Sequence, residues 1–127
     1  MAKSEKRKIG DIGEELTARF LEKKGYKIIE QNYLKKWGEI DIVAKNKDML
    51  HFIEVKSLTL RERQFEYMPE ANMRLWKKQR MTRAIKTYLL DRKISDETDF
   101  QIDIAAVFLD FEHKKARIRL LENIILT

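Results

Sequence analysis

The stretch GEIDIVAKNKDMLHFIEVK, residues 38–56, decides how this chain folds. Gly38 to Lys45 and Met49 to Ser57 each read as a β-strand rich in Ile, Val and Phe. The polar turn Asn46-Lys47-Asp48 between them is a hairpin signal. Yet both strands carry acids in their middles, at Glu39, Asp41 and Glu54, and Lys56 follows two residues after the last. In a strand, residues i and i+2 share a face and lie about 6.5–7 Å apart. Glu39 and Asp41 are therefore expected on one face, Ile40 and Ile42 on the other. In the second strand Leu50, Phe52, Glu54 and Lys56 share a face, opposite His51, Ile53 and Val55. If Lys47 and Asp48 form a two-residue turn, Asn46 faces Met49, Asp41 faces Glu54, and Glu39 faces Lys56. A slip of two positions keeps these four side chains together; a slip of one separates them.

Carboxylates roughly 5 Å apart across strands raise each other's pKa and destabilise the fold unless positive charge sits between them. The flanking residues, IDIV around Asp41 and FIEV around Glu54, describe buried positions where an unpaired carboxylate is costly. A divalent cation resolves the conflict. Carboxylate oxygens are hard donors suited to Mg²⁺ or Mn²⁺, and Mg²⁺ is commonly held by one or two carboxylates plus water and phosphate oxygens. Such an ion activates water against a phosphodiester, and a neighbouring ammonium, here Lys56, neutralises developing charge. The plainer alternative is that Glu-x-Lys is an ordinary surface pair.

Outward from the hairpin, Ile9, Ile12, Leu16, Phe20 and Leu21 recur at helical spacing, and Gly25 follows as a C-cap, so Ile9 to Lys24 is expected to be a helix. Residues 1–8 (MAKSEKRK) are expected to be a flexible end. Tyr26 to Leu34 reads as a strand, Leu58 to Ala71 as a loop, and Met73 to Arg92 as a long helix. Phe100 to Leu109 reads as a central strand, and Ala116 to Glu122 as a last strand nearer an edge. The order αβββαββ predicts an α/β fold, a mixed β-sheet flanked by helices, in one domain spanning residues 1–127.

Of the 127 residues, 43% are hydrophobic and 38% charged, with a net charge of +6; there is no cysteine and there are two histidines. This excludes a disulfide framework and argues against a thiolate or His-rich zinc site. No apolar run reaches the roughly 18 residues a membrane helix needs, and no signal peptide is visible, so a cytoplasmic location without membrane attachment is expected. The positive excess favours a polyanionic partner, nucleic acid first. Lys77, Lys78, Arg80, Arg83 and Lys86 interleave with apolar positions in the second helix, a solvated face or a phosphate-backbone contact.

At these residues the chain resembles the PD-(D/E)xK nuclease superfamily. More closely, it resembles the YraN-type family of predicted endonucleases, related to archaeal Holliday-junction resolvases. The match includes G-x-x-G-E-x-x-A at Gly10, Gly13, Glu14 and Ala18, then Gly25-Tyr26 and Asn32. It continues through GEIDIVA at Gly38 to Ala44, FIEVK at Phe52 to Lys56, KQRM at Lys78 to Met81, and the strand around Asp103. The resemblance implies a restriction-endonuclease-like sheet and a Mg²⁺- or Mn²⁺-dependent endodeoxyribonuclease acting on branched or structured DNA. It implies metal ligands at Asp41 and Glu54, with the Val55 carbonyl as a candidate third. It also implies a catalytic lysine at Lys56 and a supporting acid at Glu14, itself a candidate ligand. Lys77, Lys78, Gln79, Arg80 and Arg83 become candidate nucleic-acid contacts. Glu39 is expected near the site or paired with Lys56, Asp103 is expected to pair with an arginine, and Trp37 and Trp76 to pack. Leu34, Leu58 and Gln101 stand where many members carry arginine, which bears on substrate grip. A homodimer would suit two-strand cleavage. The rival functions are a nucleic-acid-binding module without cleavage and a protein-interaction domain.

Overall fold

The computed structural model describes residues 3–59 and 75–124, with the side chains of the second stretch described from Gln79 onward. Among the described residues seven elements follow in the expected order: α1 (Glu5–Lys23), β1 (Lys27–Lys35), β2 (Gly38–Asn46), β3 (Met49–Thr59), α2 (Leu75–Asp91), β4 (Phe100–Asp110) and β5 (Lys115–Leu121). Helix α1 starts earlier than its apolar periodicity predicts. Ser4 caps it, its hydroxyl accepting from the Arg7 N–H at 3.1 Å, so residues 5–8 of the expected loose end are helical. Asp11 fastens this first turn by ion pairs with Lys3 and Arg7. The helix ends as its glycine predicts: Gly25 takes φ 94°, and the Gly25 and Tyr26 N–H groups close onto Glu22 and Leu21 carbonyls.

The five strands form one sheet in sequence order, β1-β2-β3-β4-β5. All neighbours are antiparallel except β3 and β4, which run parallel from Leu50↔Phe100 to Thr59↔Leu109. That parallel pair needs a long crossover, and α2 lies within it. The predicted central strand, β4, is buried from Ile102 to Val107, and the predicted outer strand, β5, is at the edge. β3 runs on through Leu58 and Thr59, which the sequence suggested as loop; residues 60–71 of that expected loop lie outside the described residues.

Each sheet face has its own core. On one face Met81, Ala84, Ile85 and Tyr88 of α2 pack with Tyr33, Ile40, Val43, Leu50, Phe52 and Ile102. On the other, Ala18 and Leu21 of α1 pack with Tyr26, Ile42, Ala44, Ile53 and Ala105. Helix α1 approaches closely because Gly13 has no side chain: a Cβ there would fall 1.7 Å from Ser57 Oγ. Asp103, fully buried, pairs with His51 rather than with an arginine: His51 Nδ1 lies 2.7 Å from its Oδ2. Gln101 and the Asn123 N–H donate to its other oxygen. The register sets His51 beside Gln101 and Asp103 beside Ile53, so His51 and Asp103 meet as diagonal neighbours on adjacent strands, which no local pattern announces.

Candidate functional site

The hairpin closes as its turn predicts. Asn46 faces Met49, and the register runs to Ile42↔Ile53. Hydrogen-bonded pairs alternate along an antiparallel ladder, so the next bond in this register would join the Val55 N–H to the Ile40 carbonyl. Instead the Val55 N–H donates to Asp41 Oδ2 at 2.8 Å. The Asp41 side chain has taken the place of the backbone acceptor, and the two strands part there.

Side-chain alternation in β2 breaks at the same residue. Ile40 and Val43 pack on the α2 side, Ile42 and Ala44 on the α1 side. Strict alternation would put Ile40 and Ile42 on one face. The expectation that Glu39 and Asp41 share a face is therefore corrected: Asp41 belongs to neither face and reaches along the gap toward β3. The neighbouring strand shares the irregularity. Asn32 of β1 falls opposite Asp41, between the pairs Gln31↔Ile42 and Tyr33↔Ile40, and takes φ 54°. Asn tolerates that left-handed conformation better than most residues. An Asn inside a strand is the sequence signal that matches this irregularity.

The break sorts the other candidates. Gly38 and Ile40 face α2, so Glu39 faces α1 and does not oppose Lys56. On β3, Leu50 and Phe52 face α2, and alternation puts Glu54 and Lys56 on that side. Glu54 is buried and Lys56 half-buried. Glu14 of α1 is half-buried on the far side, and its carboxyl is raised above the ordinary value, by burial first and by Glu39 second, against Arg7. Asp41 joins the two sides. Burial and then the Glu54 carboxylate push it up to about 9, with Glu14 and Glu39 adding and the Val55 N–H opposing. At the strand gap Asp41 thus feels the charges of Glu54, Glu14 and Glu39. In a strand the N–H and C=O of one residue leave on the same side, so the Val55 carbonyl also points into the gap.

This donor set suits a hard cation, because it is made of carboxylate and carbonyl oxygens, with the Asp41 and Glu54 side chains buried. Among the described residues no group of three Asp, Glu, His or Cys forms a ready-made cage. An ion here would complete its shell with water and substrate oxygens, the usual Mg²⁺ arrangement.

The basic helix lies beside the acids. A Cβ at Gly38 would stand 2.8 Å from the Arg80 carbonyl, so α2 rests directly on the start of β2. Gln79, Arg80, Arg83 and Lys86 are exposed; the side chains of Trp76, Lys77 and Lys78 lie outside the described residues. Among the described residues no helix is long and apolar enough to cross a membrane.

Among the described residues, a mixed five-stranded sheet with one helix on each face, and buried acids where two strands part, fit a restriction-endonuclease-like α/β fold. The chain belongs to the uncharacterised protein family UPF0102, whose profile matches residues 13–107, a span that includes every acid of the site. It is similar to a UPF0102 protein of Alkaliphilus metalliredigens, 38% identical over 106 residues, covering 84% of this chain and 90% of the relative. It is also similar to UPF0102 proteins of Campylobacter hominis, 34% identical over 94% of this chain and 95% of the relative, and of Caldicellulosiruptor saccharolyticus, 34% over 93% and 97%.

Proposed function

We propose that this protein is a metal-dependent endonuclease that hydrolyses phosphodiester bonds in branched or structured DNA. One observation carries the reading: Asp41 is placed in the gap between β2 and β3 beside Glu54, where its carboxyl is pushed up to about 9. A fold that needed only stability would put an apolar residue there. Asp41 and Glu54 would hold Mg²⁺ or Mn²⁺, with the Val55 carbonyl. The bound ion supplies a polarised phosphoryl oxygen and a water acidic enough to attack near neutral pH. Val55 N–H fixes the Asp41 carboxylate in orientation. Lys56, two residues beyond Glu54 on the same face, places an ammonium where charge grows on the phosphate. Glu14 and Glu39 line the opposite side and accept a proton from, or orient, the attacking water. The exposed cations of α2 grip the sugar-phosphate backbone without reading bases.

A second reading, a binding module with this fold and no cleavage, draws on the lack of a three-ligand cage among the described residues. Nicking and cleavage of single-stranded, duplex, flap and four-way-junction DNA in Mg²⁺, Mn²⁺ or EDTA separates the two. The endonuclease reading expects metal-dependent cutting that Lys56→Ala abolishes while DNA binding persists. Absence of cutting on every substrate, with salt-sensitive binding retained, favours the binding module.

A further inference from the structure

We propose that Trp37 is a positioning residue for DNA: its ring holds the Arg83 guanidinium as a phosphate-gripping group at the border of the carboxylate site. This rests on the reading of the chain as a DNA-acting protein. Trp37 lies in the two-residue turn between β1 and β2 and is half-buried. Its carbonyl accepts from Arg80 Nε at 2.8 Å. The Arg83 guanidinium lies over its ring, 4.9 Å from the centroid. Arg80 and Arg83 are three residues apart on α2, hence on one helix face, and both are exposed.

By contrast, Arg19 and Arg92 are neutralised within the chain, by Glu15 and by Glu30. Among the described residues no carboxylate pairs with Arg83, which is held by an aromatic face instead. A stacked guanidinium keeps its charge and its edge donors for an outside oxygen while its motion is restricted. That is the arrangement a phosphate needs and an acidic partner within the chain would spoil. The location fits as well. Gly38, the residue after Trp37, lets the Arg80 backbone approach β2, and Glu39 and Asp41 follow on the same strand. Four residue steps of extended chain lead from Trp37 to Asp41, about 13 Å. Arg83 therefore meets a phosphate other than the one at Asp41, and gives grip without sequence preference.

The test is DNA binding by the full chain, followed by fluorescence anisotropy in EDTA with duplex and four-way-junction DNA over a range of salt. Arg83→Ala should flatten the slope of log affinity against log salt by about 0.9 and weaken binding about five-fold at 0.15 M salt, the counterion-release value for one phosphate. Trp37→Leu, which keeps apolar bulk but loses the π face, should do the same although it removes no charge. Trp37→Phe should restore most of the binding, and Trp37→Leu should add nothing in the Arg83→Ala background. A packing role alone leaves the salt slope of a folded Trp37→Leu protein at the wild-type value, and that result overturns the inference while the DNA reading stands. Additive losses in the double variant overturn it too. A wild-type protein that binds none of these DNAs ends the DNA reading itself and the inference with it.

Discussion

Replacing Asp41 by Asn tests the site through stability, without needing the substrate. Asp41 is 5% exposed and accepts one backbone N–H. Asn keeps the shape and an acceptor oxygen for Val55 but removes the charge that faces Glu54, Glu14 and Glu39. In the folded chain the Asp41 carboxyl titrates at about 9, against an ordinary value of 3.8. A folded pKa above the unfolded one means that the folded chain holds the proton longer. The stabilising contribution is therefore complete below about pH 4 and is lost as pH rises toward 9. The loss is at most about 1.4 kcal/mol per pH unit, so on the order of 2–4 kcal/mol has gone by pH 7. Asp41→Asn should escape this. In EDTA it should match wild type near pH 4 and exceed it by a few kcal/mol at pH 8, about 10 °C in Tm for a chain of this size. Saturating Mg²⁺ should raise the wild-type Tm by mass action and leave Asp41→Asn unmoved. Urea and thermal melts from pH 4 to 9, with and without metal, read both effects. Wild-type stability that stays flat from pH 5 to 8 in EDTA, or an Asp41→Asn protein less stable than wild type at pH 8, would refute the reasoning.

Two further substitutions probe the scaffold. In Gly13→Ala the new Cβ would lie 1.7 Å from Ser57 Oγ and 2.9 Å from Ser57 Cβ, so α1 must lift from β3; a loss of about 1–3 kcal/mol is expected in urea, and Ser57→Gly in the same chain should recover much of it. Asp103→Ala strands the His51 ring, the Gln101 amide and the Asn123 N–H, and should cost about 3–5 kcal/mol without touching metal or DNA affinity in the protein that remains folded.

Much of the fold was legible because it rests on local rules. The apolar spacing of α1, the cap at Gly25, the two-residue turn at Lys47-Asp48 and the alternation in β3 each follow from a few neighbouring residues. The carboxylates were legible as an anomaly, acids where strands should be apolar. Their arrangement was not. Local alternation put Glu39, Asp41, Glu54 and Lys56 on one side, whereas the chain puts Glu39 with Glu14 and Asp41 in the gap between strands. That break joins three strands: the left-handed backbone of Asn32 in β1, the flip at Asp41 in β2 and the N–H of Val55 in β3. The same holds for His51 with Asp103, and for Trp37 with Arg80 and Arg83, residues more than 40 positions apart brought together by sheet register and helix packing. The sequence by itself determined the elements, the hairpin register and the acids that had to be compensated. Only the tertiary structure decided which groups meet, because a side chain's direction follows its own backbone while its partners depend on how distant strands and helices are packed against it.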